Sequence, residues 1–367
     1  MEVNRFSRPP RLLVFWSWSD FDGVFKEAFL NRPEYHVEWV STQGSAENKA
    51  SYRRLISLRH RLEKGDFDLV IANSIMRSPF PRNKGFWTTA SLMLRLLTYG
   101  RHRLDTYWAP WITAGAVRSR VPLAAIDARD THFIYPWDWP LFKASTLYFK
   151  RDLFFLPKRS ADPIRTNLTD KVVDPLVNKL RPLSLGIQSS RMPAQVRPYH
   201  ERDIDILFSG TDNNSIRSDL RSRCEKMGAR YKVYAQKGLI PTAEYAELVQ
   251  RTKMIICPES AGCETWRQYE VAAAGAVPVI NWPYAQCYQP LEPDIHALYF
   301  SLIGDHFERQ IEWALAHPEE MGKMAERARA FVLGFKDRRK LMDYVVSATL
   351  EAAGKTIYPK KENGIGV

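Results

Sequence analysis

Apolar residues fall along the chain in short runs separated by polar turns, and the period changes from stretch to stretch. RLLVFWSW is a continuous apolar run that ends in the polar loop SDFDG, followed by the helix-like VFKEAFLN. YHVEWVS alternates as a half-buried strand does, whereas DFDLVIANS has the unbroken apolar run of a strand covered on both faces. VPLAAIDARD repeats that run and ends on acids. Strands alternating with helices predict βαβ units and a parallel sheet. Ligands of such sheets gather at the carboxyl ends of the strands, so SDFDG and DARDTH stand where chemistry is expected.

From Leu156 to about Arg202 the texture changes. LPKRSADPIRTNLTD and SSRMPAQVRPYHERD are rich in Pro, Ser and Arg and poor in periodic apolar residues, which reads as a linker. A second series then begins: DIDILFSGT (strand), IRSDLRSRCEKMG (helix), YKVYAQ (strand), TAEYAELVQRT (helix), KMIICPES (strand), ETWRQYEVAAAGA (helix) and VPVINWP (strand). HPEEMGKMAERARAFVLG and RRKLMDYVVSATLEAAG close it as two helices. The expected organisation is an α/β fold of two Rossmann-like halves facing each other across a cleft. Residues 1–160 form the first domain, 161–202 a linker region, and 203–335 the second domain. Residues 336–354 form a terminal helix packing back on the first domain, and 355–367 a flexible tail.

A length of 367 residues fits two domains, and 45% apolar with 26% charged residues excludes a disordered or collagen-like chain. Cys224, Cys257, Cys263 and Cys287 show no C-x-x-C spacing, so neither a zinc site nor a disulfide framework is expected, and a cytoplasmic setting is. No apolar stretch approaches the ~20 residues of a membrane span, and the N-terminus lacks the layout of a signal peptide. The net charge of +12 favours an acidic partner. Eleven basic residues against three acids between Arg53 and Arg103 carry +8 of it, interleaved with Leu58, Leu62, Phe86, Trp87 and Tyr99. Two readings stay open: helices on an anionic membrane surface, or core-facing helices with solvated basic backs. No nucleic-acid-binding signature accompanies the charge, so nucleic acid is not an expected partner.

The most specific stretch is ICPESAGCETWRQYEVAAAGAVPVINWP. A buried strand ends at Pro258, a polar loop carries Glu259, Ser260, Gly262 and Glu264, and the next helix puts Arg267 and Glu270 on one face. A helix N-terminus after a glycine-containing loop is a natural anion site. Arg267 suits a phosphate oxygen and Glu270 a ribose or sugar hydroxyl, unless the two simply pair with each other. R-x-x-E-x-x-A-A-G-A-V-P-V-I resembles the donor-binding signature of GT-B-fold glycosyltransferases, exostosin-like and bacterial family 1-like enzymes in particular. The resemblance extends over ILFSGTDNNSIRSDL upstream and HPEEMGKMAERARAFV downstream, and IDARDTHFIYPWDWPLFKASTLYFKRDL resembles the end of the N-terminal domain in the same group. It implies that Arg267 and Glu270 contact a nucleotide-sugar. Ser209, Gly210 and Thr211 then face its diphosphate, and Arg217 opens the next helix. By charge, Arg217, Lys237 and Arg267 are candidates to meet the diphosphate, Lys237 reading also as a solvated loop lysine, and Glu264, out of register with the family's first glutamate, is expected on the donor side as well. Retaining members carry E-x7-E ending at the position of Glu270. Its first glutamate falls on Gly262, so the resemblance leans to inversion.

Inversion needs a general base for the acceptor hydroxyl. Candidates are Asp20 and Asp22 in the first loop and Asp127, Asp130 and His132 at the later strand end, with Asp130 first, then Asp127 and Asp20; each also reads as an ordinary cap or ion pair. No D-x-D stands where a metal would be held, so positive side chains and helix ends are expected to meet the leaving diphosphate, with no metal and no cofactor. Trp16, Trp18, Trp108, Trp111, Trp137 and Trp139 suit stacking on a carbohydrate acceptor, or simply the core. The expected activity is metal-independent hexosyl or deoxyhexosyl transfer from a nucleotide-sugar donor to a glycan or lipid-linked acceptor. Bacterial surface-polysaccharide or lipopolysaccharide synthesis at the inner face of the cytoplasmic membrane is the expected setting. Rival readings are a non-catalytic module binding a glycan or anionic lipid, and a nucleotide-sugar hydrolase or epimerase of the same fold.

Overall fold

In the computed structural model the described residues are 4–5, 8–16, 25–29, 32–41, 52–73, 120–135, 138–160, 175–188, 191–260 and 262–356. Asp20, Asp22, Trp18, Trp108, Trp111, Trp137 and the basic stretch from Arg77 to Arg103 lie outside them.

The N-terminal sheet is built from β1 (Arg11–Trp16), β2 (His36–Ser41), β3 (Leu69–Asn73), β4 (Leu123–Asp127), β5 (Leu147–Lys150) and β6 (Leu180–Pro182). All are parallel, in the order β2-β1-β3-β4-β5-β6. Continuous apolar runs permit this because both faces are covered. Leu13 and Phe15 point to one layer with Leu58 and Leu62 of α1 (Tyr52–Glu63). Leu12, Val14 and Trp16 point to the other. The basic back of α1 is solvated and ion-paired, Arg59 with Glu63 at 3.1 Å and Arg61 with Glu38 at 2.8 Å. This half of the basic segment is therefore a core-facing helix.

The C-terminal sheet repeats the plan with β7 (Ile204–Gly210), β8 (Val233–Lys237), β9 (Thr252–Ile256), β10 (Val277–Asn281) and β11 (Leu298–Phe300), ordered β8-β7-β9-β10-β11 and parallel throughout. Flanking helices are α2 (Ser215–Met227), α3 (Thr242–Arg251), α4 (Trp266–Ala273), α5 (His306–Ala316) and α6 (Pro318–Phe335). In both sheets the strand order reverses between the first and third strands, which opens a crevice at their carboxyl ends.

The last helix, α7 (Arg338–Ala352), crosses back. Leu341, Met342, Val345, Val346 and Leu350 pack under the N-terminal sheet, and Asp343 accepts hydrogen bonds from Arg32 Nη2 at 2.6 Å and Tyr35 at 2.7 Å. Two expectations need correction. Residues 161–202 are not all linker: Leu180, Leu183, Leu185 and Ile187 are buried, and β6 joins the sheet beside β5. That apolar alternation is masked in the sequence by Arg, Pro, Ser and Gly. The tail begins with Lys355–Thr356 paired to Asn4–Arg5. Leu153–Phe154 pairs antiparallel with Ala285–Gln286, so a short ribbon joins the two domains. Among the described residues no helix is long and apolar enough to cross a membrane.

Candidate functional site

The crevice of the C-terminal sheet lies between the loops after β7 and β9. Gly210 ends β7 with φ +119°, a conformation that suits glycine. A Cβ there would lie 2.6 Å from Arg217 Nη2 and 3.2 Å from Arg267 Nη2, so both guanidinium groups close on this one backbone position. Arg217 is held by its Nε donating to the Thr211 carbonyl at 2.8 Å, and Arg267 by its Nη1 donating to the Ser209 carbonyl. Asn214 caps α2, its Oδ1 accepting from the Arg217 backbone N–H at 3.0 Å, and Asn213 reaches Ser260 in the facing loop at 2.9 Å. Burial, and then the neighbouring Arg267 charge, push the Arg217 pKa down. Among the described residues neither arginine forms an ion pair with a carboxylate. Two adjacent cations beside a helix N-terminus are of the kind that suits a doubly charged anion.

Asp212, whose charge also reaches Arg217, is already satisfied. It binds Arg221 at 2.6 Å and Lys237 at 3.7 Å. Lys237 is therefore at the rim, mostly exposed, with its charge directed to Asp212. Thr211 is exposed beside it. Arg267 and Glu270 do not pair with each other. Glu270 accepts from Arg191 Nη1 at 2.7 Å, at the seam where Gln188 donates to Glu27 of the N-terminal domain at 3.2 Å.

Two expected site residues are placed elsewhere. Glu264 is buried, with one carboxylate oxygen bonded to Ser184 and Tyr269 and the other accepting from the Leu185 backbone N–H at 2.8 Å. It ties the C-terminal domain to the crossover chain and does not face the arginine pair. Asp127 is fully buried. Arg129 grips it through Nε at 2.8 Å and Nη2 at 2.7 Å, Tyr148 donates at 2.9 Å, and Lys150 stands 3.5 Å away. The Lys150 and Arg129 charges outweigh burial and hold its pKa well below the usual carboxylate range. A carboxylate so enclosed cannot reach an acceptor hydroxyl; it neutralises buried cations.

Asp130 has a half-exposed side chain, paired with Arg151. Arg151 also donates to the Ala128 carbonyl at 3.4 Å and, across the domain boundary, to the Glu264 carbonyl. Beside it, Asp152 is buried and accepts from Cys263 Sγ at 3.1 Å, while Gly262 lies so close that any Cβ would collide with the Asp152 carboxylate. His132 meets Tyr284 of the C-terminal domain edge-on, ring centroids 4.5 Å apart. On the N-terminal side of the domain contact, Asp130 and His132 thus stand beside the buried Arg151 and Asp152. The two residues missed in the sequence, Arg151 and Asp152, follow β5, a four-residue strand too short to announce itself. Among the described residues no group of three or more His, Cys, Asp or Glu side chains is placed to hold a metal ion.

Residues 213–345 match the family model described as "Glycosyl transferase-like". No curated protein matches the chain. Among solved structures it is similar to the glycosyltransferase of Rickettsia africae, at 9% identity and TM-score 0.50, covering 95% of this chain and 99% of that one. It is likewise similar to the catalytic domain of starch synthase IV from Arabidopsis thaliana bound to ADP and acarbose, at 9% identity and TM-score 0.51, covering 94% and 100%. The shared feature is the fold: two Rossmann-like domains in the GT-B arrangement.

Proposed function

We propose that this GT-B-fold chain, glycosyl transferase-like over 213–345, transfers a hexosyl or deoxyhexosyl group from a nucleotide-sugar to a glycan or lipid-linked acceptor. The observation that carries the reading is the convergence of Arg217 and Arg267 on Gly210 at the strand-order reversal. A nucleoside diphosphate supplies the two adjacent negative charges such a pair accommodates, as the ADP of the starch synthase illustrates for this fold. Glu270, at the same helix face, accepts from the donor's hydroxyls once Arg191 yields.

In this reading Asp130 takes the proton of the acceptor hydroxyl, whose oxygen attacks the anomeric carbon as the bond to the diphosphate breaks. The charge that develops on the leaving diphosphate is met by Arg217, Arg267 and the N-terminus of α2, and no metal is required. Inversion is favoured by Gly262, where the Asp152 carboxylate leaves no room for the first glutamate of E-x7-E. A role in surface-polysaccharide synthesis at the inner face of a bacterial membrane is the setting proposed for the basic segment; failure to bind anionic liposomes at low salt removes that part alone.

The test is a thermal-shift screen against UDP, GDP, CMP and dTDP, run in parallel on Glu270→Ala. A ligand that binds only the native state raises the melting point by mass action. One nucleotide should shift the wild type and not the variant. If none shifts either, the donor-site assignment fails and the binding-module reading replaces it. Turnover of donor without acceptor points instead to a hydrolase or epimerase.

A further inference from the structure

A second cavity, of about 210 Å³, opens beside the interdomain ribbon, with Ala285 and Gln286 of that ribbon in its lining. Ile280, Leu291 and Tyr299 line it, with Phe155 from the N-terminal half and Trp282 at its mouth, 60% and 55% exposed. The Trp282 and Tyr299 rings form a tilted pair with centroids 5.0 Å apart. Its polar lining is almost entirely committed. Both Glu264 oxygens are taken by Ser184, Tyr269 and Leu185, Gln286 Nε2 donates to the Phe154 carbonyl at 3.0 Å, and Cys263 donates to Asp152. Cys287 is a neutral thiol, its pKa pushed up to about 12 by burial. Gln268 is the exception. It is 5% exposed, lines the cavity, and its carboxamide makes no hydrogen bond among the described residues.

The Gln268 carboxamide keeps contact with solvent through the cavity, so it is free to meet a ligand group there, and a hydrogen bond made in that enclosed setting is favourable. We infer that this cavity binds a neutral aromatic ring bearing one hydroxyl, a ligand of the phenol class, with the hydroxyl on Gln268. The volume exceeds the ~150 Å³ of an apolar cavity that takes up benzene, so one ring with a substituent fits. Aromatic walls favour a ring placed edge-on or offset. A hexose fits the chemistry badly, because several hydroxyls would be buried against a single amide. A flexible chain loses rotamer freedom there that a rigid ring does not. The site is separate from the arginine pair and does not depend on what that pair binds.

The test uses fluorine NMR on the full chain with 4-fluorophenol and fluorobenzene. Saturable binding of 4-fluorophenol is expected, with fluorobenzene weaker by roughly three- to tenfold, the worth of one hydrogen bond. Gln268→Leu should bring the two affinities together, and Trp282→Ala, a truncation at an exposed position, should weaken both ligands. The proposal is overturned by any of three results: no saturable binding to the wild type, equal affinity of the wild type for the two probes, or affinities that Trp282→Ala leaves unchanged. A preference for the hydroxyl that survives Gln268→Leu overturns it as well.

Discussion

Arg129 closes on Asp127 with two nitrogens at 2.8 and 2.7 Å, and the same guanidinium reaches Asp138, so one cation serves two buried carboxylates while Lys150 completes the cluster. Removing one charge from such a cluster leaves the others uncompensated in a low-dielectric interior. Asp127→Asn should therefore destabilise the N-terminal domain by about 3–5 kcal/mol, read from urea midpoints at pH 7. The depressed pKa sets the pH sense. The contribution is fully present above the unfolded carboxyl value of about 3.9 and is lost as pH falls through the lower folded one. Wild type should accordingly lose stability in acid more steeply than the variant. A variant as stable as wild type at pH 7 would sink this account.

The Asp127 cluster also shows where a sequence stops being legible. The parallel sheets could be read because their central strands are continuous apolar runs, and the arginine pair because Arg267 and Ser209–Gly210 sit at strand and helix ends. An acid at the end of LAAID looks the same whether it faces a cleft or a buried lysine. Lys150 decides which, and it arrives from the neighbouring strand, paired to Asp127 in register. Glu264 misled for the same reason. It stands three residues from Arg267, yet its partners Ser184 and Leu185 come from a segment eighty residues away that reads as linker.

Glu264 and Arg267 can be separated by experiment. Glu264→Gln keeps the shape but removes the charge beside Arg151, whose Nε is 3.9 Å away. It should lower stability by about 1.5–3 kcal/mol, the worth of a hydrogen bond to a charged group, and leave nucleoside diphosphate affinity unchanged. Arg267→Ala should do the reverse, costing little stability and at least tenfold in affinity. Calorimetric titration together with melting curves reads both. A loss of affinity in Glu264→Gln equal to that in Arg267→Ala would return Glu264 to the donor site.

At Gly210 a single methyl should matter more to binding than to folding. With φ at +119°, alanine is strained by about 1–3 kcal/mol, and its Cβ would meet Arg217 Nη2 at 2.6 Å. The guanidinium is the movable partner, so it swings away and carries one charge off the anion site. Gly210→Ala should weaken pyrophosphate and nucleoside diphosphates by tenfold or more, the loss of one charge-assisted hydrogen bond. The steep salt dependence of binding should fall with it. Unaltered affinity in a folded Gly210→Ala protein would place the anion elsewhere.

His132 makes the domain seam sensitive to mild acid. Its ring lies between Phe154, 5.0 Å away, and Tyr284, and burial lowers its pKa, with Asp152 acting in the opposite sense and Lys150 reinforcing the shift. A base whose folded pKa lies below its unfolded value of about 6.5 binds its proton more readily when unfolded. Its stabilising contribution is complete above that value and declines as pH falls through it towards the folded pKa. The denaturation midpoint of the wild type should fall between pH 7.5 and 5.5, and the imidazole carbon-bound protons should titrate below pH 6.5 by NMR. In His132→Phe, which keeps the aromatic contact and cannot be protonated, that fall should shrink. If the variant loses as much stability over the same interval as wild type, other groups set the acid response and the His132–Tyr284 contact is pH-neutral.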